Sequence, residues 1–379
     1  MKPIKNVLTV ALLAACCSPA YAEITIDVIG GSEVSFEGMV QFDHNDFDSD
    51  VARLNGDALD GSDADSELRR AEIVLKGKGP GMFNWVIGYD AKADKFLDTN
   101  LQYRLSGVTT LTVGQYKQPN SLEELTSTRH NDFISKAMVT NTFGVARRTG
   151  VQLATGGDTW TLTGSAFGRE LTRNLAHGSG YGTRFTWAPI SEAGNFLHLG
   201  LSAMDFDTDG DVLRLRTRPQ ADLAANRLVD TSTITRADRQ QTLGVEGLWV
   251  NGPVKLQSEY MQSTVQRYAG QPDFTGNSWY VAGVWNVTGE TWTYTKGLVN
   301  TVLPNDPASG MWQLGLRYDS IDLDDSGILG GQMDSWTAGV NWYWRSNYKF
   351  ALNYVAVQAD RRGISDNPNI LEARAQFYW

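Results

Sequence analysis

Apolar and polar residues alternate one by one along most of the chain. Val34, Phe36, Val40 and Phe42 alternate with mostly polar neighbours, and the same pattern returns in many later segments. A period of two places the apolar side chains on one face of an extended strand and the polar side chains on the other. We count about sixteen such segments, each near the ~9–11 residues that a tilted transmembrane strand needs.

The connections between these segments alternate between long and short. Residues 205–241 form a long connection, whereas residues 77–81 and 251–253 form tight turns. Residues 321–332 are also expected to be a long loop, and residues 288–310 are long where a short turn is due. Outer-membrane barrels have long loops at one end and short turns at the other, so this spacing indicates such a barrel.

The last segment helps to distinguish a membrane barrel from a soluble one. Leu371, Ala373, Ala375, Phe377 and Trp379 share one face. Alternation is also expected in a soluble β-sandwich or soluble barrel, but there the apolar face is the core. Aromatic residues near strand ends are typical of the interface girdles of outer-membrane barrels. We therefore expect an all-β fold, a 16-stranded antiparallel transmembrane β-barrel, with residues 23–379 as a single domain.

Residues 1–22 are expected to be a signal peptide. Lys2 and Lys5 flank the start of an apolar stretch, and Ala20-Tyr-Ala22 has the small-x-small pattern of a cleavage site. A rival interpretation is a lipoprotein, because Leu13-Ala-Ala-Cys16 resembles a lipoprotein cleavage box. If cleavage follows Ala22, both cysteines leave with the signal. The remaining chain then has no disulfide, no thiolate nucleophile and no cysteine metal site.

Charge and residue types argue against several functions. The formal net charge is −10 at pH 7, which disfavours a nucleic-acid partner. Asp205-Phe-Asp-Thr-Asp-Gly-Asp211 begins like a calcium loop, but its twelfth position is Arg216 rather than glutamate, so we expect an acidic outer loop. No cofactor and no metal are expected. The histidines, which show no metal-ligand spacing, are His44, His130, His177 and His198.

The polar strand faces of a membrane barrel line its lumen, and sixteen strands leave an aqueous channel. Charged side chains at the narrowest point then set ion selectivity. Strand parity predicts which charged residues point inward. These are Arg70, Glu72, Asp98, Arg104, Arg148, Arg184 and Arg317.

The alternation stops in one long stretch after the fifth predicted strand. It opens with Gly114-Gln-Tyr-Lys-Gln-Pro119, continues with charged and hydroxylated residues, and closes at Arg148. So long a connection lies either outside the barrel or inside it. We expect it to fold into the lumen and narrow the channel, with Lys117 at its start, Arg129 along it and Arg148 at its end.

A row of arginines stands out in a later connection. Arg214, Arg216 and Arg218 are two residues apart, so an extended backbone places all three on one side. One interpretation is a solvated strand edge in an outer loop. The other is a row that draws anions toward the pore, because the planar guanidinium group binds phosphate through paired hydrogen bonds.

These features resemble the phosphate-selective porin O/P family of Gram-negative outer membranes over nearly the whole chain after residue 22. The resemblance implies a sixteen-stranded barrel, usually a homotrimer, whose third loop folds into the pore. It also implies contact with the lipid bilayer and lipopolysaccharide, and passage of small phosphate-like anions. The motifs that carry it are Ser66-Glu-Leu-Arg-Arg-Ala71, Leu97-Asp-Thr-Asn-Leu-Gln-Tyr103, Gly114-Gln-Tyr-Lys-Gln-Pro-Asn-Ser-Leu-Glu-Glu-Leu-Thr-Ser-Thr-Arg129 and Trp379.

The resemblance implies roles for individual residues as well. Lys117 matches the lysine that contacts phosphate at the narrowest point of the family's pore. Arg70 matches a second anion ligand, and Asp98 matches the acidic residue of the constriction. The residues that match the family's arginine ladder are Arg214, Arg216 and Arg218.

One position departs from the family pattern. Phosphate-selective members place an aromatic residue directly after the Arg-Arg-Ala motif, whereas this chain has Glu72 with inward parity. A carboxylate so close to Arg70 lowers the local positive potential and can pair with it. Parity also leaves Lys117 on the lipid side of a straight strand. The resemblance therefore requires a bend or bulge there, which Pro119 favours.

Three functional hypotheses remain open. The leading one is a passive outer-membrane channel that prefers anions, with phosphate or a related oxyanion as solute. The second is a weakly selective or cation-preferring general porin, suggested by the acidic charge and by Glu72. The third belongs to another class, an outer-membrane hydrolase or an adhesin with a filled lumen. A hydrolase would need a serine hydrogen-bonded to a histidine, and Ser127, Ser135 and His130 are the nearest candidates.

Overall fold

The computed structural model describes residues 24–29, 32–56, 63–79, 81–172 and 178–379. The signal peptide expected over residues 1–22 lies outside the described residues. His177 and Pro80, the latter in an expected tight turn, lie outside them as well.

Sixteen antiparallel strands form a closed barrel, which confirms the predicted fold class. The strands are β1 Ser32–Asp48, β2 Ala64–Lys78, β3 Phe83–Asp90, β4 Lys95–Arg104, β5 Thr110–Lys117, β6 Arg147–Gly156, β7 Trp160–Phe167, β8 Gly180–Glu192, β9 Asn195–Asp207, β10 Ala237–Asn251, β11 Val254–Arg267, β12 Phe274–Asn286, β13 Met311–Asp325, β14 Ile328–Trp344, β15 Tyr348–Arg361 and β16 Asn369–Tyr378. Consecutive strands pair with one another, and β1 pairs with β16 to close the cylinder. Two further strands extend the sheet: Ile24–Ile29 pairs with β1, and Ile364–Asp366 pairs with β15.

Burial along the strands shows which face meets the surroundings. On the apolar face, Leu101 is 58% exposed and Leu243 is 63% exposed. On the polar face, Gln41, Asp319 and Glu372 are each 0% exposed. A soluble barrel has the reverse arrangement, with an apolar interior. The outer surface of this barrel therefore suits the hydrocarbon region of a membrane.

The connections follow the predicted alternation with one correction. Residues 321–332, expected to be a long loop, instead extend β13 and β14 and leave a two-residue turn. That turn is tight because Ser326 and Gly327 both have positive φ, 49° and 82°, as a two-residue hairpin turn requires. Residues 287–310 form a long connection at the short-turn end of the barrel, as the sequence indicates.

A few short elements lie in the connections. The helices are α1 Leu122–Leu125 and α2 Met138–Phe143, with 3₁₀ turns at Thr128–His130 and Asp209–Asp211. The paired short strands are Val212–Leu213 with Ile234–Thr235, Arg216–Thr217 with Val229–Asp230, and Thr293–Thr295 with Leu298–Asn300. Among the described residues, the helices are too short and too polar to span a bilayer.

The seam between the first and last strands depends on a glycine. Gly38 and Trp379 exchange two backbone hydrogen bonds of 3.1 Å. A Cβ atom at Gly38 would lie 2.0 Å from the ring of Trp379, so the indole fills the place of a side chain. The ring also packs 5.8 Å from Phe36 and 5.5 Å from Phe377, between ring centroids. This aromatic cluster covers the point where the barrel closes.

Replacing Gly38 with valine should destabilise the barrel. The added side chain displaces the indole, and overpacking of this kind costs about 1–3 kcal/mol. Thermal unfolding in detergent, followed by the shift of the folded form on unheated gels, measures the effect. Gly247→Val is the matched control, because a Cβ atom there meets open space. Equal losses of stability in both variants would contradict the role of the seam.

Candidate functional site

The connection between β5 and β6, residues 118–146, is bound to the polar faces of distant strands. The backbone N–H groups of Leu122 and Glu123 donate to the carboxylate of Glu259 on β11, both at 2.9 Å. The N–H of Met138 donates to Asp319 on β13 at 3.1 Å. Carboxylates thus satisfy backbone donors at the start of both α1 and α2, where intrahelical partners are missing.

Side chains of the strands also satisfy the carbonyl groups of this connection. The donors and their acceptors are Arg374 to Ile134 at 3.0 Å, Arg317 to Ser135 at 3.0 Å, Asn341 to Asp132 at 2.7 Å, Gln376 to Arg129 at 3.0 Å, and Lys349 to Asn131. Buried carbonyl groups without partners are costly, so each bond helps to fix one conformation of the backbone.

An apolar contact adds to these hydrogen bonds. The ring of Phe133 lies over the glycines Gly315 and Gly339, where added Cβ atoms would come within 3.0 Å and 3.2 Å of it. The guanidinium of Arg317 sits 4.6 Å from the centre of the same ring. The two glycines therefore make room for the ring of Phe133, which also makes a cation–π contact with Arg317.

Lys117 ends β5 and its amine turns toward α1. It donates to the carbonyl of Thr126 at 3.2 Å and to that of Glu124, and it lies 3.9 Å from the Glu124 carboxylate. Gly114, three residues earlier, has a φ of 126°, and the pairing of β5 with β6 shows no register shift. The bulge that we expected near Pro119 is thus absent from the pairing of β5, and Lys117 reaches the cavity from the last position of the strand.

Glu124 is held between two lysines. Its carboxylate contacts Lys136 and lies 3.9 Å from Lys117. Burial alone raises the pKa of Glu124, but attraction to Lys136 and Lys117 outweighs burial and lowers the pKa to about 2. The carboxylate is therefore ionised at neutral pH and ties Lys117 to α1.

Arg147, which the sequence did not single out, lies beside Lys117. The two residues are direct partners across β5 and β6, and Arg147 makes a bidentate pair with Asp98 at 3.2 Å and 3.0 Å. Arg148, expected at this place, is not brought together with Lys117. Its guanidinium lies 6.0 Å and 5.8 Å from the ring centres of Phe167 and Phe206. Arg148 is buried with these aromatic side chains, so it points inward as parity predicts, but it contacts Phe167 and Phe206 rather than the group around Lys117.

Two further expected residues form ion pairs in the same region. Arg129 lies 3.1 Å from Glu37 of β1. Arg70 lies 3.7 Å from Glu72, so the pairing suggested by their spacing is present. A cavity of about 520 Å³ is lined by charged residues from strands β1, β2, β4, β5 and β6 and from the connection of residues 118–146. These are Glu37, Glu72, Lys76, Asp98, Lys117, Arg129 and Arg147.

The remaining inward arginines have other partners. Arg184 binds Glu246 and donates to the carbonyl of Gly297 at 2.9 Å. Arg317 is buried and binds Asp319 at 2.6 Å. Arg104 is exposed at the turn end of β4. These contacts hold strands and connections together, and Arg184 also lines a second cavity, of about 250 Å³, with Lys117.

The arginine row lies in the connection of residues 208–236, at the end of the barrel that carries the long loops. This connection contacts β2 and the connection between β1 and β2. Asp222 binds Arg69 of β2 at 3.0 Å, and the N–H of Ala225 donates to the carbonyl of Leu54 at 2.7 Å. Within the row, Arg214 binds Asp230 and Arg218 donates to the carbonyl of Ala224, at 2.8 Å and 2.7 Å. Arg216 is exposed between them, while Leu215 and Thr217 are buried on the opposite side.

The long connection of residues 287–310 starts at the end of the barrel that carries the short turns. From there it reaches α1 and the cavity that contains Lys117. Trp292 is buried beside Leu122 of α1, and the amine of Lys255 lies 4.9 Å from its ring centre. The hydroxyl of Tyr294 is 2.7 Å from Nδ1 of His198. Asn300 and Thr301 line the cavity that contains Lys117. The sequence showed that this connection is long but gave no sign of these contacts.

A sixteen-stranded barrel with an apolar outer surface and a charged interior that contains cavities is an outer-membrane porin. The family model for phosphate-selective porin O and P matches residues 40–379, and the chain belongs to that family. Porin O of Pseudomonas aeruginosa is 24% identical over 394 residues, covering 90% of this chain and 88% of that protein.

One further relative and one solved structure are similar to this chain. An uncharacterized protein of Caulobacter vibrioides is 30% identical over 315 residues, which cover 76% of this chain and 62% of that protein. The chain therefore matches less than two thirds of this relative's length. Outer-membrane expressed OmpT of Vibrio cholerae shares the fold, with a TM-score of 0.62 and 10% identity over 94% of this chain and all of that one.

Replacing Lys136 with methionine should destabilise the protein in a pH-dependent way. Because the pKa of Glu124 lies below its usual 4.5, its pairing stabilises the folded state above that pH and is lost as pH falls toward 2. At pH 7 we expect a loss of about 1–3 kcal/mol, because a buried carboxylate loses a charged partner. Unfolding in detergent, followed by tryptophan fluorescence between pH 7 and 3, measures the loss.

The exposed pair of Lys92 and Glu67, at 3.1 Å, supplies the control. Lys92→Met should cost at most about 1 kcal/mol at either pH, because exposed pairs contribute little. A loss for Lys136→Met that stays the same down to pH 3 would show that Glu124 is not the group responsible.

Proposed function

We propose that this porin is a passive channel for small anions, with phosphate or a related oxyanion as its solute. The observation that carries the proposal is the grouping of Lys117, Arg129 and Arg147 around one cavity. Ser127 and Thr128 line the same cavity and bring hydroxyl groups that donate hydrogen bonds to oxyanions. Membership of the phosphate-selective family supports this solute class.

Residues 118–146 form the constriction in this proposal, folded into the lumen as the third loop. Their bonds to Glu259, Asp319 and Arg374, on the polar faces of three strands, support this placement. Lys117, Arg70, Asp98, Arg129 and Glu72 keep their predicted roles near the solute path, and Arg147 takes the place expected for Arg148. Arg214, Arg216 and Arg218 attract anions at the loop-end mouth.

The general-porin alternative has a specific observation in its favour. Each of the cations at the cavity faces a carboxylate: Glu124 for Lys117, Asp98 for Arg147, and Glu37 for both Arg129 and Lys76. Such pairing weakens the net positive field. Family membership and fold favour a channel over the hydrolase alternative.

The protein is further proposed to be exported by a signal peptide over residues 1–22 and to form a homotrimer in a membrane that contains lipopolysaccharide. The resemblance to the family supports these features. No catalytic step and no cofactor enter the proposal.

Single channels in planar bilayers test the proposed function. Under a potassium chloride gradient, the reversal potential should show preference for chloride. Phosphate added at constant ionic strength should reduce the chloride current in a saturable way. A preference for potassium would favour the general-porin alternative and contradict the proposal.

Replacing Lys117 with glutamate should reduce the preference for chloride over potassium by about tenfold, because one unit charge at the narrowest point changes sign. The reversal potential measures this ratio. Lys92→Glu makes the same change of charge in the connection between β3 and β4 and should have a much smaller effect. If the Lys117 variant kept the reversal potential of the unmodified channel, Lys117 would not belong to the constriction.

A further inference from the structure

The cavity of about 520 Å³ has charges of both signs on its walls. Lys117 and Arg147 come from β5 and β6, and Arg129 comes from the connection between them. Glu72 comes from β2, on the other side of Asp98 along the sheet. A solute in this cavity therefore meets cationic groups and a carboxylate at the same time.

Glu72 differs from the other carboxylates of the cavity in its partners. Glu37 contacts Lys76 and Arg129, and Asp98 makes two hydrogen bonds with Arg147. Within the described part of the chain, the contact of Glu72 is the 3.7 Å ion pair with Arg70, which is longer than a hydrogen bond.

Among the carboxylates of this cavity, Glu72 thus has the longest ion pair, so it is the one most easily paired anew with a cation that arrives from solution. Its side chain is 15% exposed and reaches the cavity. A free inorganic phosphate would be repelled by this carboxylate, whereas an ammonium group would be attracted to it. The same acid that disfavours phosphate favours a solute that carries both charges.

We propose that the cavity recognises small zwitterionic phosphoesters, in which a phosphoryl group and an ammonium group are a few bonds apart. This proposal rests on the proposed anion channel and specifies its solute. The phosphoryl oxygens accept hydrogen bonds from Lys117, Arg147 and the hydroxyls of Ser127 and Thr128. The ammonium group donates to the carboxylate of Glu72.

The hydroxyl groups on the phosphoryl side are open for such contacts. Ser127 precedes a 3₁₀ turn but its side chain does not cap that turn. Ser127 and Thr128 both line the cavity beside Arg129. Neutral donors next to cations suit a phosphoryl group, because hydrogen bonds to a charged acceptor are stronger than those between neutral groups.

Block of the chloride current by three compounds tests this proposal: phosphoethanolamine, propyl phosphate and inorganic phosphate. Propyl phosphate has nearly the shape of phosphoethanolamine but lacks the ammonium group and carries a larger negative charge. A site of cations alone therefore favours propyl phosphate. In the unmodified channel we expect phosphoethanolamine to block at about tenfold lower concentration than propyl phosphate, because the ammonium group adds a charged hydrogen bond.

Glu72→Gln keeps the shape of the side chain and removes its charge. In this variant propyl phosphate should block at least as well as phosphoethanolamine, and inorganic phosphate should block better than in the unmodified channel. Glu67→Gln is the control, because Glu67 pairs with the exposed Lys92 at 3.1 Å and does not line the cavity. In the Glu67→Gln channel the three compounds should block in the same order of potency as in the unmodified channel. Thermal unfolding confirms that both variants are folded.

The outcomes separate this proposal from the proposed function. If no phosphate compound blocks the current and chloride is not preferred, the proposed function fails, and this proposal fails with it. If phosphate and propyl phosphate block but phosphoethanolamine is the weakest, the anion channel stands and the zwitterion proposal is overturned. An advantage for phosphoethanolamine that persists in Glu72→Gln also overturns it.

Discussion

Satisfying the buried polar groups of residues 118–146 is the constraint on which the rest of the interior depends. Much of this connection is buried, so its buried N–H and carbonyl groups need partners from the protein. Glu259 and Asp319 supply acceptors, while Arg317 and Arg374 supply donors. Buried charged side chains of the barrel strands thus bind the backbone of residues 118–146. These bonds help to fix the positions of Arg129 and of the groups that contact Lys117.

The same connection brings charges of opposite sign close together. Lys117 is tied to Glu124, Arg129 to Glu37 and Arg147 to Asp98. Ion pairs of this kind fix the positions of cations but reduce the net field that a passing ion feels. Selectivity then depends on which charges remain open to a solute. Glu72, whose ion pair with Arg70 is 3.7 Å long, is the clearest example.

Much of the fold follows from the sequence because period-two alternation is a local signal. The apolar face of β16 and the polar face of β1 are readable without knowing their neighbours. The acid-rich stretch near Asp322 was misjudged, because charged residues that extend a strand beyond the membrane look like a loop. Arg147 was also missed, because parity selects Arg148, whereas Arg147 is the first residue of β6 and reaches the cavity from the end of the strand.

The contacts that build the site join residues far apart in the chain, and no local pattern reveals them. Glu259 meets Leu122 across 137 positions, and Arg374 meets Ile134 across 240. Trp292 shares a buried apolar cluster with Leu122, and it comes from a connection of which only the length was recognisable in the sequence. Family motifs pointed to Lys117 and Arg70 as residues of one site, but they did not give the partner of each cation.

The most direct test of the central claim asks whether residues 118–146 lie in the path of ions. A chain that lacks Cys16 and Cys17 is given a single cysteine by Ser127→Cys, and a negatively charged methanethiosulfonate reagent is added to single open channels. A constriction at this place predicts a stepwise fall in chloride conductance that persists after the reagent is washed out and that a reducing agent reverses. Unchanged conductance, with modification of the cysteine confirmed by mass, would contradict a constriction formed by this connection.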